Sequence, residues 1–270
     1  AGLVQLCSGP DPEANLSRTR AFLRTAAAQG ADFVLTPEVT NIVTTDRTHL
    51  AAMTQPEDRD PTLAALREDA RALGVWLLIG SLALKSNDPR GRHVNRGFLV
   101  SPAGGIEARY DKIHMFDVAV SKAETHRESA AFRPGREAVL AETDVGRIGL
   151  TICYDLRFPG LFRRLAQAGA QILTVPSAFT PETGKAHWQS LLRARAIENG
   201  AYVFAPAQTG QNTERRATHG HSLAVSPWGE VLTDAGTEPG VTLVDFDLAE
   251  VDDARRRIPS LNHDRDFQGP

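Results

Sequence analysis

Cys153 is the residue whose sequence context most directly indicates chemistry. The apolar, β-branched run at residues 148–152 predicts a buried strand, and helical spacing begins at Leu161. A strand-to-helix turn between them would place the thiol near a helix N-terminus, where partial positive charge favours the reactive thiolate. The alternative interpretation is a buried structural thiol, and one residue alone does not decide between the two.

Other polar residues occupy positions from which a side chain can assist such a thiol. Glu38 follows a predicted strand, and a carboxylate there can act as a general base if burial raises its pKa. Lys112 also follows a predicted strand, and its ammonium can stabilise an oxyanion. His114 can activate a thiol, or it can pack and orient its loop. Taken singly, these residues and Glu128 also fit salt bridges or solvated surface charges.

The hydrophobic pattern predicts an α/β fold in which strands and helices alternate. Apolar runs predict strands at residues 3–7, 32–36, 76–79, 95–101, 106–110, 148–152, 171–175, 202–207, 222–226 and 241–245. Helical spacing predicts helices at residues 15–30, 63–73, 161–168 and 186–199. Residues 116–136, which include Glu128, have little periodicity and predict a long functional loop.

A short internal repeat predicts how these elements are arranged. Residues 27–37 and 167–176 both run from a helix end through a Gly-Ala pair and a strand to a proline. The match indicates two halves with related βα topology. It therefore favours two sheets faced by helices over one doubly wound sheet.

The predicted helix at residues 186–199 has two charged side chains, Arg195 and Glu198, on its apolar stripe. If this face is buried, the two charges must be paired, because an isolated buried charge carries a large desolvation cost. We therefore expect a structural ion pair here rather than a catalytic one.

Composition indicates a globular protein and bounds its partners. The chain has 270 residues, 41% hydrophobic and 23% charged, with no recognisable internal boundary, which predicts one domain over residues 1–270. A net charge of −3 predicts neither a nucleic-acid nor a membrane partner. The sequence has no transmembrane run and no recognisable secretory leader, and its two cysteines support neither a disulfide framework nor a zinc site. A reducing, cytoplasmic setting is therefore expected.

Four ordered motifs resemble those of the nitrilase (carbon–nitrogen hydrolase) superfamily. They are Pro37-Glu38; Tyr110-Asp-Lys112-Ile-His114; Cys153-Tyr-Asp-Leu-Arg157-Phe-Pro159; and His187-Trp188 followed by Arg193-Ala-Arg195-Ala-Ile-Glu198-Asn199. Narrower matches resemble the Nit branch: Lys112-Ile-His-Met-Phe-Asp117, Pro176-Ser-Ala-Phe179-Thr180, Thr183-Gly184, and Gly220-His221-Ser222 with Pro227-Trp228-Gly229. The resemblance extends from the first strand to about Asp247.

The resemblance implies a four-layer αββα sandwich and a catalytic site. The triad falls on Glu38, Lys112 and Cys153, with Glu128 as an auxiliary glutamate. Cys153 is then expected to attack an amide carbonyl and form a thioester, while Glu38 transfers protons. Lys112 and the backbone N–H of Tyr154 are expected to stabilise the oxyanion.

The same resemblance implies the ligands and partners. Phe179 and Thr183, with Tyr154, are expected to contact a small-molecule amide, either a short ω-amide or a deaminated peptide such as deaminated glutathione. Aliphatic amides, N-carbamoyl compounds and nitriles are alternative substrates. No metal or organic cofactor is implied, and a homodimer or larger homo-oligomer is expected, with the tail from about residue 252 a candidate interface. A redox-sensing or non-catalytic interaction protein is the alternative of another class, with Cys7 the only available resolving thiol.

Some positions depart from the superfamily pattern. Gly160 stands where a glutamate is common, which questions the local helix start and the dimer contact. Arg96 stands where a small residue usually follows the asparagine at position 95. On the loop that includes Glu128, Arg127, Arg133 and Arg136 form a candidate cluster for a carboxylate-bearing substrate, with solvated surface arginines as the alternative.

Overall fold

Two six-stranded mixed sheets form the centre of the structure, a computed structural model that describes residues 1–120 and 125–269. Sheet I contains, in spatial order, β16 (Gly240–Leu243), β1 (Gly2–Gln5), β2 (Phe33–Leu35), β3 (Trp76–Leu84), β4 (Val94–Val100) and β5 (Ile106–Asp111). Sheet II contains β15 (Val231–Asp234), β14 (Leu223–Val225), β11 (Tyr202–Ala205), β10 (Ile172–Thr174), β9 (Gly146–Leu150) and β8 (Val139–Thr143). Two hairpins lie outside the sheets: β6 (Asp117–Ala119) with β7 (Thr125–Arg127), and β12 (Thr209–Thr213) with β13 (Arg216–His219).

Most of the described helices begin after a residue whose side chain caps the first turn. The helices are α1 (Pro12–Ala28), α2 (Arg47–Met53), α3 (Pro61–Leu73), α4 (Pro159–Gln167), α5 (Pro181–Asn199) and α6 (Ala249–Arg257). In α1, α3 and α5 a proline occupies the first turn, and the preceding Asp11, Asp60 or Thr180 side chain accepts first-turn N–H groups. Across the described residues, no helix combines the length and apolar character needed to cross a membrane.

Each sheet is built around three parallel strands. In sheet I these are β1, β2 and β3, with α1 and α3 in the two crossovers. In sheet II they are β9, β10 and β11, with α4 and α5 in the crossovers. The structure thus contains two βαβαβ units, which confirms the two related halves predicted from the internal repeat.

Side chains of sheet I alternate between two hydrophobic cores, as the two-residue period of a strand requires. Leu3 and Phe33 belong to the core shared with sheet II and helices α4 and α5. Val4 and Val34 belong to the core beneath α1 and α3. The layers are therefore helix, sheet, sheet and helix, which confirms the predicted four-layer αββα sandwich.

Several predicted boundaries are corrected by the structure. The strand expected at residues 148–152 ends at Leu150, because the next residues lead into the turn at Cys153. Strand β3 continues five residues beyond Ile79 to Leu84, since it keeps pairing with β4. Helix α5 begins at Pro181 rather than at residue 186, because Thr180 caps it. Elements β8, β12, β13, β15 and α2 were not predicted, since these short segments lack a clear apolar period.

The irregular loop expected at residues 116–136 contains regular structure. It includes the hairpin of β6 and β7 and a short 3₁₀ turn at Glu128–Ala130. Residues 121–124 of the predicted loop lie outside the described residues. Glu128 is the first residue of that 3₁₀ turn.

The C-terminal segment packs on its own chain. Helix α6 buries Val251 and Ala254, and Arg163 of α4 donates to the carbonyl of Ser260 at 2.6 Å. Helix α4 begins at Pro159 although Gly160 replaces the usual glutamate, so the departure leaves the helix start unchanged.

Gly80 of β3 lies against the segments that follow β2 and β10. A Cβ atom here would lie 2.0 Å from the carbonyl oxygen of Thr36 and 2.5 Å from Pro176 Cβ. The chain at Thr36 leads directly to Glu38, and the carbonyl of Pro176 accepts a hydrogen bond from Cys153 N at 3.0 Å. Because glycine has no side chain, the segments at Thr36 and Pro176 can both pack closely against β3 at Gly80.

We predict that Gly80→Ala destabilises the protein by about 1–3 kcal/mol, because the new methyl group meets backbone atoms that cannot move independently. The free energy of unfolding from denaturant titration measures the effect. Gly240→Ala is the matched control, since a Cβ in this β16 residue has no neighbour within 4 Å. Equal losses in the two variants would contradict the prediction.

Candidate active site

Glu38 follows β2 and is held by backbone contacts from both halves of the chain. Its side chain is buried, with the residue 4% exposed. The next residue, Val39, has a φ of +48° and donates its N–H to Ser81 Oγ at 2.8 Å. Gln208 donates from Nε2 to the carbonyl of Glu38 at 3.0 Å. These contacts fix the carboxylate at the end of its strand.

Lys112 directly follows β5 and is 2% exposed. Its ammonium donates to Glu38 Oε1 at 2.8 Å and to Glu128 Oε1 and Oε2 at 3.0 and 2.9 Å. Asn95 of β4 donates to Glu38 Oε1 at 2.9 Å and to Glu128 Oε1 at 3.3 Å. We call Glu38, Lys112 and Glu128 the buried charged triplet.

Glu128 reaches the triplet from the 3₁₀ turn that follows β7. Its Oε2 also accepts the backbone N–H of Phe116 at 2.7 Å, which orients the carboxylate toward Lys112. The sequence-predicted Glu38, Lys112 and Glu128 thus meet at one point, although they lie far apart in the chain.

Cys153 begins the 3₁₀ turn Cys153–Arg157, between β9 and α4. Its φ of +51° is unusual for a residue with a side chain, and its N–H donates to the carbonyl of Pro176 at 3.0 Å. The Glu38 carboxylate and the backbone N–H of Ala178 both interact with the sulfur and influence its pKa. The residue is 6% exposed, and the predicted strand-to-helix turn is confirmed.

The turn is stabilised from helix α5. Arg195 donates from Nε and Nη2 to the carbonyl of Leu156 at 3.0 and 2.7 Å and from Nη1 to Glu198 Oε1 at 2.9 Å. Arg195 is buried, so the ion pair expected from the sequence is present and has a structural role.

Electrostatics set the protonation states within the site. Burial opposes the charged form of Glu38, but Lys112 outweighs it and lowers the pKa of this carboxyl. Burial also opposes the charged form of Lys112, but Glu128 and Glu38 raise its pKa well above the ordinary value. For Cys153, burial and then the negative charge of Glu38 raise the pKa of the thiol. Glu38 and Lys112 are therefore ionised and the Cys153 thiol is neutral.

Two expectations are corrected by this result. The thiolate predicted from a helix N-terminus is wrong, because burial and Glu38 outweigh any partial positive charge at the turn. The raised pKa expected for Glu38 is also wrong, since Lys112 lies 2.8 Å away. A neutral thiol beside an ionised carboxylate is still a suitable nucleophile–base pair.

A cavity of about 310 Å³ opens over Cys153 and the triplet. The sequence-predicted Tyr154, Phe179 and Thr183 all line it. Tyr154 packs edge-on against Phe116, with ring centroids 5.1 Å apart. The walls also include Val39, Ile42, Val43, Leu50, Ala131, Phe132 and Ala178.

The predicted arginine cluster is not assembled as expected. Of its three members, only Arg127 lines the cavity. Arg133 pairs with Asp111 at 3.3 Å, and Arg136 lies beside Arg133 on another part of the surface. The chain lines the cavity as far as Phe132, and Arg133 and Arg136 follow that stretch and line a different part of the surface.

Two other arginines lie around the cavity, and the sequence reasoning missed them. Arg47 is in α2, and Arg216 is in β13, where it donates from Nη2 to the carbonyl of Ala178 at 2.9 Å. Asp46 also lines the cavity, but its Oδ1 caps α2 by accepting the Thr48 and His49 N–H groups. No local signal identified these arginines, because neither segment was predicted as a regular element.

His114 packs rather than activates the thiol. Its Nδ1 lies 2.7 Å from Asp155 Oδ1, and its ring stacks on Phe158 with centroids 3.5 Å apart. Cys7 also lies away from the cavity, with its sulfur 3.5 Å from the carbonyl of Gln211. Over the described residues, no group of three or more His, Cys, Asp and Glu side chains is arranged to hold a metal ion.

Asn95 and Ala178 contact the site directly but were not predicted as functional. The polar pair Asn95-Arg96 inside the otherwise apolar strand β4 was an available signal for Asn95. Ala178 contributes only its backbone, and no side-chain pattern identifies such a contact.

The profile of the carbon–nitrogen hydrolase family matches residues 1–256. The chain belongs to this family. It is 39% identical to the deaminated glutathione amidase of Yersinia enterocolitica over 97% of this chain and 92% of that protein. It is 38% identical to the human deaminated glutathione amidase, over 97% of this chain and 81% of the human protein.

A solved structure agrees with this membership. The Caenorhabditis elegans NitFhit protein superposes with a TM-score of 0.91 at 34% identity. The match covers 98% of this chain and 64% of the NitFhit chain, so the present chain spans less than two thirds of that longer protein. The predicted superfamily, fold and enzyme class, a hydrolase of carbon–nitrogen bonds other than peptide bonds, are confirmed.

We predict that Cys153 is a thiol, not a thiolate, at neutral pH. In a Cys7→Ser background, thiolate absorbance in the ultraviolet should appear only above the ordinary thiol pKa of 9.0, because burial and Glu38 raise the pKa of Cys153. A Cys153→Ala variant supplies the baseline. Substantial thiolate absorbance near neutral pH in the folded protein would contradict this assignment.

Proposed function

We propose that this protein hydrolyses a small primary amide to a carboxylate and ammonia through a cysteine thioester. The observation that carries the proposal is the meeting of a buried thiol, an ionised carboxylate and a buried ammonium in one cavity. Glu38 contacts Cys153, and Lys112 lies 2.8 Å from the same carboxylate. These groups are a nucleophile, a base and a stabiliser of negative charge.

Acylation uses Glu38 first as a base and then as an acid. Glu38 takes the thiol proton as Cys153 Sγ forms a bond to the amide carbon, and the electron pair of the C=O bond moves to oxygen. Lys112 and the backbone N–H of Tyr154 stabilise this oxyanion. When the tetrahedral intermediate collapses, the C–N bond breaks and Glu38 returns the proton to the leaving nitrogen, so that ammonia leaves a thioester.

Deacylation uses the same carboxylate as a base. Glu38 takes a proton from water, whose oxygen adds to the thioester carbon, and collapse then breaks the C–S bond and gives the carboxylic product. The thiol recovers its proton from Glu38. Glu128 holds the Lys112 ammonium through both carboxylate oxygens, and thereby keeps it oriented in both steps.

The charges around the cavity support an ω-amide substrate with a carboxylate at its other end. Outside the buried charged triplet, the lining contains the three arginines 47, 127 and 216 and one aspartate, a net charge of +2. The triplet has a net charge of −1, so a neutral amide group suits the inner end and an anionic group suits the outer end. Similarity to deaminated glutathione amidases supports a deaminated peptide of this kind.

We further propose one domain over residues 1–270, a cytoplasmic setting and a homo-oligomer. The hydrophobic core shared by both sheets supports a single domain. Side chains of Ile197, Trp228 and Ile258 are exposed at 52%, 44% and 57%, which supports burial against another copy.

The proposal is tested by measuring ammonia release from a panel of amides, N-carbamoyl compounds and nitriles. We expect release from ω-amides, no turnover by Cys153→Ala, and a loss of about 10²–10³-fold in kcat for Lys112→Ala. Lys85→Ala, which alters an exposed lysine outside the cavity lining, is the control. Ordinary turnover by either site variant, or no ammonia from any compound, would refute the proposed function.

We predict that Arg216→Gln selectively impairs carboxylate-bearing amides. The kcat/KM for glutaramic acid should fall by about 10- to 10²-fold, as expected for the loss of a charged hydrogen bond, while pentanamide, which has a methyl group in place of the carboxylate, changes little. Arg136→Gln is the control, because Arg136 lies away from the cavity. Equal losses with both substrates would indicate a structural role for Arg216 instead.

A further inference from the structure

Asp155 is a fully buried carboxylate beside the site that the mechanism above does not use. It lies in the 3₁₀ turn two residues after Cys153 and is 0% exposed. Its Oδ2 accepts the hydroxyl of Tyr110 at 2.7 Å and the backbone N–H of Ile152 at 2.8 Å. Its Oδ1 accepts the backbone N–H and Nδ1 of His114 at 3.0 and 2.7 Å.

These four donors come from two segments that the sheets keep separate. Ile152 belongs to the Cys153 turn after sheet II, whereas Tyr110 and His114 flank Lys112 at the end of strand β5 in sheet I. Tyr110 and Lys112 are two residues apart, so both side chains point to the same face. Asp155 therefore connects the backbone on both sides of Lys112 to the turn that contains Cys153.

The chemistry of the contact requires a carboxylate. The Tyr110 hydroxyl and the two backbone N–H groups donate to Asp155, and a His114 tautomer protonated on Nδ1 donates as well, so a side chain with two accepting oxygens satisfies all four contacts at once. Burial and the charge of Asp155 raise the pKa of Tyr110, so its hydroxyl keeps the proton that it donates. In the described chain, the cavity lining does not include Asp155.

We propose that Asp155 is a positioning residue for the oxyanion site: by bonding to Tyr110 and His114, it sets the place of the Lys112 ammonium relative to Cys153 Sγ. The inference rests on the proposed function of Lys112. Asp155 acts in the step where negative charge develops on the carbonyl oxygen. It does not contact the substrate itself. Displacement of a catalytic group by about 1 Å can cost up to about 10²-fold in rate.

Asp155→Asn tests this assignment with little change in volume. The amide NH₂ of the asparagine must face one pair of donors, so either the Ile152 side or the His114 side loses its acceptor. We expect kcat for the amide substrate to fall by up to about 10²-fold with KM nearly unchanged. Tyr110→Phe removes only the bond to β5 and should give a smaller loss of the same kind.

Two alkylating reagents distinguish an effect on the position of Lys112 from an effect on the reactivity of the Cys153 thiol. Addition of Cys153 to acrylamide forms the Sγ–Cβ bond and moves the alkene electrons onto the amide oxygen, before the α-carbon takes the proton that the thiol gives up. Displacement on iodoacetamide forms an S–C bond, releases iodide and passes the thiol proton to Glu38, and no charge develops on the amide oxygen. In a Cys7→Ser background, Asp155→Asn should slow the first reaction much more than the second.

A double-mutant cycle shows whether Asp155 acts through Lys112. In a Lys112→Ala background, Asp155→Asn should cause no further loss in the ratio of acrylamide to iodoacetamide rates. The inference would be overturned if the rate ratio of the double variant fell by the product of the two single-variant losses. It would also be overturned if the ratio were unchanged in folded Asp155→Asn and Tyr110→Phe proteins. If Asp155→Asn fails to fold, the Tyr110→Phe ratio decides the matter alone.

Asp69→Asn is the matched control, because Asp69 is also a buried, hydrogen-bonded carboxylate but pairs with Arg20 between α1 and α3. It should lower stability and leave the alkylation ratio unchanged. A ratio that responds to Asp69→Asn as well would reflect general destabilisation and contradict the proposal. The alkylation rates do not depend on turnover, so a failure of the amidase assignment is seen separately in the ammonia assay.

Discussion

The site depends on the ion pairs that the buried ammonium of Lys112 forms with Glu38 and Glu128. An isolated charge of this kind would be too costly to bury, and the two carboxylates that surround it at 2.8–3.0 Å remove that cost. Although burial opposes its charged form, Lys112 lowers the pKa of Glu38, whereas burial and the negative charge of Glu38 raise the pKa of Cys153. Removing one member of the triplet therefore also removes a charged partner of another member.

The four-layer fold supplies the geometry that this group needs. Glu38, Asn95 and Lys112 follow or lie on strands of sheet I, whereas Cys153 follows a strand of sheet II. Cys153 and Glu38 thus lie on different sheets, and the distance between their side chains depends on how the two sheets pack. Close approach at Gly80 and Pro176 fixes this packing on one side, and the Asp155 contacts connect the sheets on the other.

The spacing of hydrophobic residues and the internal repeat were sufficient to predict the two related halves and most of the parallel strands. The ordered motifs were sufficient to predict that Glu38, Lys112, Glu128 and Cys153 meet. They were insufficient where long-range contacts decide the outcome. Arg47 and Arg216 reach the cavity from short polar segments with no periodic signal, and Ala178 contributes a backbone group only. The neutral thiol was missed for a related reason: a helix terminus is visible in the sequence, but burial beside Glu38 is not.

Backbone strain is concentrated at the same place as the buried charges. In the described chain, the non-glycine residues with positive φ are Val39, Cys153 and His221, and the first two adjoin or form the site. Each such residue costs on the order of 1–3 kcal/mol and persists only where surrounding contacts fix it. Ser81 Oγ holds the N–H of Val39, and the carbonyl of Pro176 holds that of Cys153. The two hydrogen bonds that hold these strained residues therefore also fix the positions of the Glu38 carboxylate and the Cys153 sulfur, so relaxing either turn would move the two side chains apart.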